Sequence, residues 1–165
     1  MYDVLTSVEP DEKGADVRLV EVLDDVSKTA SQRFATNPVQ EGNVRIMLGQ
    51  VYTNLGKLKA ATVEYDKAVV LLESGLEADD LRVLNAGFQH ARSLMNQSFH
   101  RPAAKILEEF VPRMRAALAP NDILLLDAER LHAVTKARAG HYDDAVRELR
   151  ELRSEERRGG TECCR

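Results

Sequence analysis

The stretch that most constrains this chain is residues 48–69, LGQVYTNLGKLKAATVEYDKAV. Leu48 and Tyr52 lie one helical turn apart with Gly49 beside them, which is typical of a helix face packed closely on a neighbour. Gly56 predicts a chain reversal, because glycine adopts the left-handed conformation that ends a helix without steric cost. Small and aromatic residues then recur at spacings of four and three, which predicts a second packed helix: Ala61, Tyr65 and Ala68.

The same arrangement recurs along the chain with a period of about 42 residues. Ala61, Ala103 and Ala145 are separated by 42 residues each. The predicted turn follows the same step at Gly14, Gly56, Ser98 and Gly140. Several positions that keep one period indicate about three helical hairpins, preceded by one further helix over residues 17–34.

Local signals set the expected ends of the helices. Pro10 and Gly14 read as part of a loop over residues 1–14. Caps are expected where an acidic or amide side chain precedes an apolar run, and Gly140 is expected to end a helix before another begins at residue 142. The expected caps are Asp16, Asn37, Asp79-Asp80 and Asn121.

The stretch at 48–69 resembles a tetratricopeptide repeat (TPR), whose pattern has Leu-Gly, an aromatic residue, a turn glycine and then Ala, aromatic and Ala. Seven residues match that pattern, whereas Arg45 stands where the family often has Trp and Glu73 where it often has Pro. The resemblance implies an all-α, right-handed solenoid of antiparallel helical hairpins. Its period of about 42 residues is longer than the family's roughly 34.

A second resemblance covers roughly the first 70 residues. From Leu5 to Gly56 the sequence is similar to the segment that opens the TPR region of many bacterial serine/threonine protein kinases, on residues such as Pro10, Gly49 and Tyr52. None of the kinase motifs is present, so catalysis does not carry over. The resemblance implies that the chain is a fragment of a larger receptor or regulator.

Composition excludes several kinds of partner. The net charge of -4 and the pI of 5.6 give no basic footprint for nucleic acid. The apolar runs are far shorter than the roughly 20 residues of a membrane helix, and the acidic N-terminus is not a signal peptide. The compartment stays unknown, and a soluble cytoplasmic protein is the default expectation.

The C-terminal residues break the helical pattern. RSEERRGGTECCR is basic and carries Gly-Gly and Cys-Cys, and RSEERR resembles the translation of a common sequencing adapter. We expect an N-terminal segment at 1–16, a TPR-like repeat domain at 17–153 and a non-native or disordered tail at 154–165. If the natural chain continues differently beyond Arg153, the uncovered last repeat is expected to self-associate or to fray at its C-terminus.

Catalytic and metal-binding interpretations have little support. His90 and His132 occupy equivalent positions on successive first helices, but without an acidic residue at ligand spacing they fit the solenoid interior better than a metal site. The acidic pairs fit helix starts and exposed faces better than a catalytic dyad. Cys163 and Cys164 have no ligands nearby. The sequence thus predicts no enzyme, no cofactor and no metal, with an unrecognised helical active site as the remaining alternative.

A binding groove is better motivated. The resemblance implies that the first helix of each repeat lines a concave surface where Asn and Gln can clamp a peptide backbone and Arg can bind a carboxylate. Ile46 replaces the Lys that carboxylate-gripping repeats usually show. The predicted function is protein or peptide binding, and the alternatives are the regulatory region of a kinase or a merely solvated polar face. The predicted groove residues are Asn43, Gln50, Asn54, Asn85, Phe88, Arg92, Asn96, Arg130 and Arg138.

Overall fold

A computed structural model describes the backbone of residues 10–140, 146, 147 and 150, and the side chains from residue 19 onward within that set. Every regular element in this part of the chain is an α-helix, which confirms the predicted all-α class. Residues 146, 147 and 150 are also helical, within the helix expected from residue 142. The helices with defined bounds are α1 (Pro10–Arg33), α2 (Pro38–Asn54), α3 (Leu58–Glu73), α4 (Leu81–Asn96), α5 (His100–Ala117) and α6 (Ile123–Ala139).

Helices α2 and α4 begin at the predicted caps. The backbone N–H of Gln40 donates to Oδ1 of Asn37 at 3.0 Å, and Pro38 occupies the first turn. The backbone N–H of Arg82 donates to Oδ1 of Asp80 at 2.9 Å. Both helix starts are therefore confirmed.

The predicted cap of α6 is wrong by one residue. The backbone N–H of Asp122 donates to the carbonyl of Ala119, and this turn leaves Asp122 rather than Asn121 at the N-cap position. Its Oδ1 accepts the N–H of Leu124 at 2.8 Å. Asp and Asn cap helices about equally well, so the sequence alone did not separate the two neighbours.

Helix α1 begins earlier than predicted. It starts at Pro10, so the loop at Pro10 and Gly14 and the cap at Asp16 are wrong for these residues. Proline is favoured in the first turn of a helix, and the acidic residues after it suit the helix dipole. A glycine inside a helix costs only about 1 kcal/mol relative to alanine. Gly14 therefore lies within α1 instead of forming the first of the periodic turns.

The other three turns keep the predicted period. Gly56, Ser98 and Gly140 all have left-handed backbone conformations, with φ of 69°, 65° and 103°. In the first of them the N–H of Lys57 donates back to the carbonyl of Tyr52 at 2.8 Å, a bond that closes the end of α2. The repeat is thus confirmed in the backbone, including the one turn that has no glycine.

Small residues allow the helices to approach each other. In the hairpin of α2 and α3, a Cβ atom on Gly49 would lie 2.7 Å from Cε1 of Tyr65, so only glycine fits. Ala61 and Ala68 are fully buried in the same hairpin. In the next hairpin the Phe110 ring fills the space beside a glycine of α4 in a similar way. The predicted close packing of the hairpins is confirmed.

Helix α1 is held to the first hairpin by a buried polar group, which we call the Arg45 cluster: Arg45, Glu41, Glu64, Ser27 and Ser31. The guanidinium donates to Glu41 Oε1 at 2.8 Å and to Glu64 Oε2 at 2.7 Å. The Ser27 and Ser31 hydroxyls, both on α1, donate to the same two carboxylates. Arg45 also donates to the Ser27 carbonyl at 3.1 Å. Hydrogen bonds from three helices therefore meet at one side chain.

Hydrogen bonds within the Arg45 cluster favour the charged forms of Glu41 and Arg45. Burial on its own raises the pKa of Glu41, but hydrogen bonds from Arg45 and Ser31 outweigh it and hold that pKa below its ordinary value. Burial lowers the pKa of Arg45, and its bonds to Glu64 and Glu41 more than reverse this effect. Burial, aided by a 2.6 Å bond to Asp24 of α1, also raises the pKa of nearby Tyr52.

The helices pack into two hydrophobic clusters. The smaller one joins α2 and α3 to Leu23 and Val26 of α1. The larger one runs from α3 to α6 and supplies most of the core, with members such as Leu72, Leu84 and Leu107. Within the part of the chain that the structure describes, none of the helices is long and apolar enough to cross a membrane.

Candidate functional site

An open groove of about 590 Å³ lies between α4 and α6, the first helices of two successive hairpins. One wall is formed by α4 through Leu81, Arg82, Asn85, Phe88, Gln89 and Arg92. The other wall is formed by the start of α6 through Asp122, Ile123, Leu124 and Asp127. Its volume lies in the range of roughly 300–1,000 Å³ that is typical of ligand sites.

The 42-residue period explains why these side chains meet. Leu81 and Ile123 hold the same position at the starts of α4 and α6, and Asn85 and Asp127 share the next position one turn on. Residues three and four apart lie on one face of a helix, so each helix presents a stripe of its lining residues to the other. The repeat itself therefore builds the groove.

The groove is apolar at the end where both helices begin. Leu81 is 57% exposed and Ile123 is 78% exposed, although both are large aliphatic side chains. Phe88 lies deeper, at 4% exposure, with the Arg92 guanidinium 5.8 Å from its ring centroid. Exposed aliphatic side chains beside a cleft are a common feature of interaction sites.

The polar lining is of mixed charge. The Gln89 amide donates to Asn85 Oδ1 at 3.4 Å, and these two groove-lining amides have further donor and acceptor groups. Arg82 binds Asp80 through two hydrogen bonds of 3.0 and 2.8 Å. These bonds lower the pKa of the Asp80 carboxyl to about 2. Asp80 and Arg82 thus neutralise each other at the edge of the site.

Three of the nine predicted groove residues line this groove: Asn85, Phe88 and Arg92. Arg130 lies beside it, with Nη1 3.7 Å from Oδ1 of Asp127. The remaining five are not among its lining residues; Asn43 is half-buried on α2, and the others are exposed at their positions on α2, α4 and α6. Those others are Gln50, Asn54, Asn96 and Arg138. A binding role for all nine stays a prediction.

Sequence reasoning missed several lining residues, and one signal was available for some of them. Asp127 lies one period after Asn85, and Asn85 lies one period after Asn43. The same step of 42 residues from Asn85 therefore predicts Asp127 as the equivalent residue of α6. The apolar pair Leu81 and Ile123 follows from the same step, but exposed aliphatic residues at helix starts are not distinguished from core residues by sequence alone.

The histidines do not build a metal site among the described residues, in which no group of three His, Cys, Asp or Glu side chains could hold an ion. His90 Nδ1 lies 3.8 Å from Oδ1 of Asp66. Burial lowers the pKa of His90, and the Asp66 charge opposes it only in part. Cys163 and Cys164 lie outside the described residues.

Two solved structures share this fold over most of the chain. The crystal structure of a Podosopora anserina protein assigned as a kinesin light chain, with nearly identical TPR-like repeats, has a TM-score of 0.71 and 18% identity and covers 89% of this chain and 70% of that chain. A variant of the same protein gives a TM-score of 0.72 and 18% identity, covering 90% and 70%. The sequence matches no protein-family profile and no curated protein. The fold is therefore that of a TPR-like repeat solenoid.

Proposed function

We propose that this chain is a non-catalytic interaction scaffold that binds an extended segment of a protein partner in the α4/α6 groove. The TPR-like fold suggests a protein-interaction role, since helical-repeat solenoids use extended surfaces of successive repeats for binding. The observation that carries the proposal is the groove itself, where aliphatic side chains at 57% and 78% exposure, Leu81 and Ile123, adjoin amides and an arginine.

The chemistry of the lining suits a peptide. Asn85 and Gln89 carry both donors and acceptors, which can pair with backbone N–H and C=O groups of an extended chain. Leu81 and Ile123 offer apolar surface to a ligand side chain, and burying it contributes about 25 cal/mol per Å². A site of this composition favours a segment with both backbone and apolar contacts.

The test is selection of binding peptides from a random dodecapeptide display library, followed by fluorescence-anisotropy titration. In the double variant Leu81→Asp, Ile123→Asp, the selected peptides should bind at least about tenfold more weakly, because the apolar end of the groove is lost. The matched control is Val63→Asp, Val70→Asp on α3, where both valines are exposed and outside the groove. Equal binding to both variants would contradict the proposal.

A second proposal concerns the larger context. The resemblance over roughly the first 70 residues supports a regulatory region of a bacterial serine/threonine kinase, of which this chain is a fragment without the catalytic domain. The division into residues 1–16, 17–153 and 154–165 and self-association through the last repeat belong to the same proposal. Sequencing the source DNA on both sides tests it: an upstream kinase domain supports the proposal, and a start codon without one contradicts it.

A further inference from the structure

We infer that the α4/α6 groove selects a zwitterionic peptide segment, with an acidic side chain against α4, a basic one against α6, and an apolar one where both helices begin. This inference rests on the proposed peptide binding and adds the charge pattern of the ligand. It comes from the opposite signs of the two groove walls.

The α4 wall offers one uncommitted positive charge. Arg92 is exposed and forms no ion pair with any residue that the structure describes; its guanidinium lies 5.8 Å from the centroid of the Phe88 ring. Arg82, the other cation of this wall, is already bound by Asp80 through two hydrogen bonds. Because a guanidinium can bind a carboxylate through two parallel bonds, Arg92 favours an acidic ligand side chain.

The α6 wall offers a negative charge. Asp127 is 49% exposed and lies 3.7 Å from the Arg130 guanidinium, which is 57% exposed. Exposed pairs at such a distance are weak, so a ligand cation can compete for this carboxylate. Asp122, the other acid of this wall, already caps α6 through the Leu124 N–H. The α6 wall therefore favours a basic ligand side chain at Asp127.

An extended peptide can satisfy both walls at once. Arg92 lies seven positions, about 10 Å, further along its helix than Asp127 does along its own, and about three residues of an extended chain span that distance. Because successive side chains of an extended chain point to opposite sides, an acidic and a basic residue three positions apart would face α4 and α6 respectively. A third, apolar side chain would then reach Leu81 and Ile123 at the end of the groove where α4 and α6 begin. Charge pairing of this kind sets the specificity and register of a ligand more than its raw affinity.

The experiment uses four end-blocked peptides of equal length that differ only at two positions three residues apart, with a leucine two residues beyond the second position: Glu and Lys, Glu and Glu, Lys and Lys, or Gln and Gln. Each peptide is also made with its sequence reversed, because an extended peptide can lie in the groove in either direction. The Glu and Lys peptide should bind about fivefold more tightly than the Gln and Gln peptide, and the difference should shrink in high salt.

Charge reversal in the protein supplies the decisive comparison. Arg92→Glu should shift the preference to the Lys and Lys peptide, and Asp127→Lys should shift it to the Glu and Glu peptide. The matched controls are Arg101→Glu and Glu108→Lys, exposed residues of α5 outside the groove, and neither should change the order.

Any of four results overturns the inference. If the four peptides bind equally, or not at all while library-selected peptides bind the groove, the charge pattern is wrong and the proposed function stands. If the order of preference stays the same in both charge-reversal variants, the charge pattern is also wrong and the proposed function stands. If no peptide from the library or the set binds the wild-type protein, the proposed function and the inference both fail.

Discussion

Arg45 of α2 and Glu64 of α3 form an ion pair of 2.7 Å between side chains that are only 2% and 4% exposed. Arg45 stands where the TPR pattern often has a tryptophan. Ser27 of α1 hydrogen-bonds to both partners. The first hairpin and the leading helix are thus joined by buried charges whose mutual pairing and hydrogen bonds offset their burial.

Removal of the Arg45 side-chain charge should be strongly destabilising. Arg45→Met leaves the carboxylates of Glu41 and Glu64 buried without their cation, and breaking a buried pair in this way costs about 3–5 kcal/mol. Urea denaturation followed by circular dichroism measures the loss. A change below 1 kcal/mol would show that the cluster is not closed in solution.

The control for that prediction removes all three charges of the Arg45 cluster. In the triple variant Glu41→Gln, Arg45→Met, Glu64→Gln no buried ion is left unpaired, so most of the stability should return. If the triple variant is as unstable as Arg45→Met alone, the loss comes from packing and not from uncompensated charge.

Acid should weaken the protein partly through Glu41. Burial raises the pKa of this carboxyl, but hydrogen bonds from Arg45 and Ser31 lower the pKa by more than burial raises it. The folded-state pKa therefore lies below the ordinary value of 4.5. The unfolded chain therefore binds more protons in this range, and the stabilisation is present above pH 4.5 and lost as the pH falls through the folded-state pKa.

The measurement compares unfolding free energies at several pH values below 4.5 in the wild type and in Glu41→Gln. The variant should show a smaller fall with decreasing pH, because it has no carboxyl to titrate at this position. Parallel curves would contradict the role assigned to Glu41.

The crossing of α2 and α3 should not tolerate a larger side chain at Ala61. This residue is fully buried beside Leu48, Tyr52 and Tyr65. Ala61→Leu should overpack the crossing and cost about 1–3 kcal/mol in unfolding free energy. Ala116→Leu on the exposed surface of α5 is the matched control and should have little effect. An unchanged melting midpoint for Ala61→Leu would count against the hairpin register.

The turn at Ser98 should be improved by glycine. Ser98 has a φ of 65°, a left-handed conformation that the equivalent turns give to Gly56 and Gly140. Ser98→Gly removes the steric penalty of a side chain there and should raise the unfolding free energy by about 0.5–1 kcal/mol. Ser74→Gly, at a right-handed position with a φ of -73°, should bring no gain. If Ser74→Gly raised the unfolding free energy and Ser98→Gly did not, the assigned strain at Ser98 would be wrong.

The hairpins were predictable from sequence because small residues and turn residues act locally. Gly49 admits the Tyr65 ring, and the period of 42 residues located the left-handed turn at Ser98 even though serine gives no turn signal of glycine's strength. A pattern that is a weak signal in one copy becomes a strong signal when it recurs at a fixed period. The start of α1 was missed because the same period placed a turn at Gly14, where the helix-starting effect of Pro10 prevails.

The groove was only partly predictable. Asn85, Phe88 and Arg92 follow from the position of α4 in its repeat, but the exposure of Leu81 and Ile123 depends on how α4 and α6 pack in three dimensions. Similarly, the sequence shows Arg45 in a family position for tryptophan without showing that two acids and two serines surround it. Both features depend on contacts between residues distant along the chain.

Chemical-shift mapping of the ¹⁵N-labelled protein with a library-selected peptide tests the central claim most directly. The groove predicts that the largest changes fall on backbone amides of α4 and the start of α6, including Asn85, Gln89, Arg92 and Asp127. Changes concentrated on α5, around Arg101 and Glu108, would contradict binding in this groove.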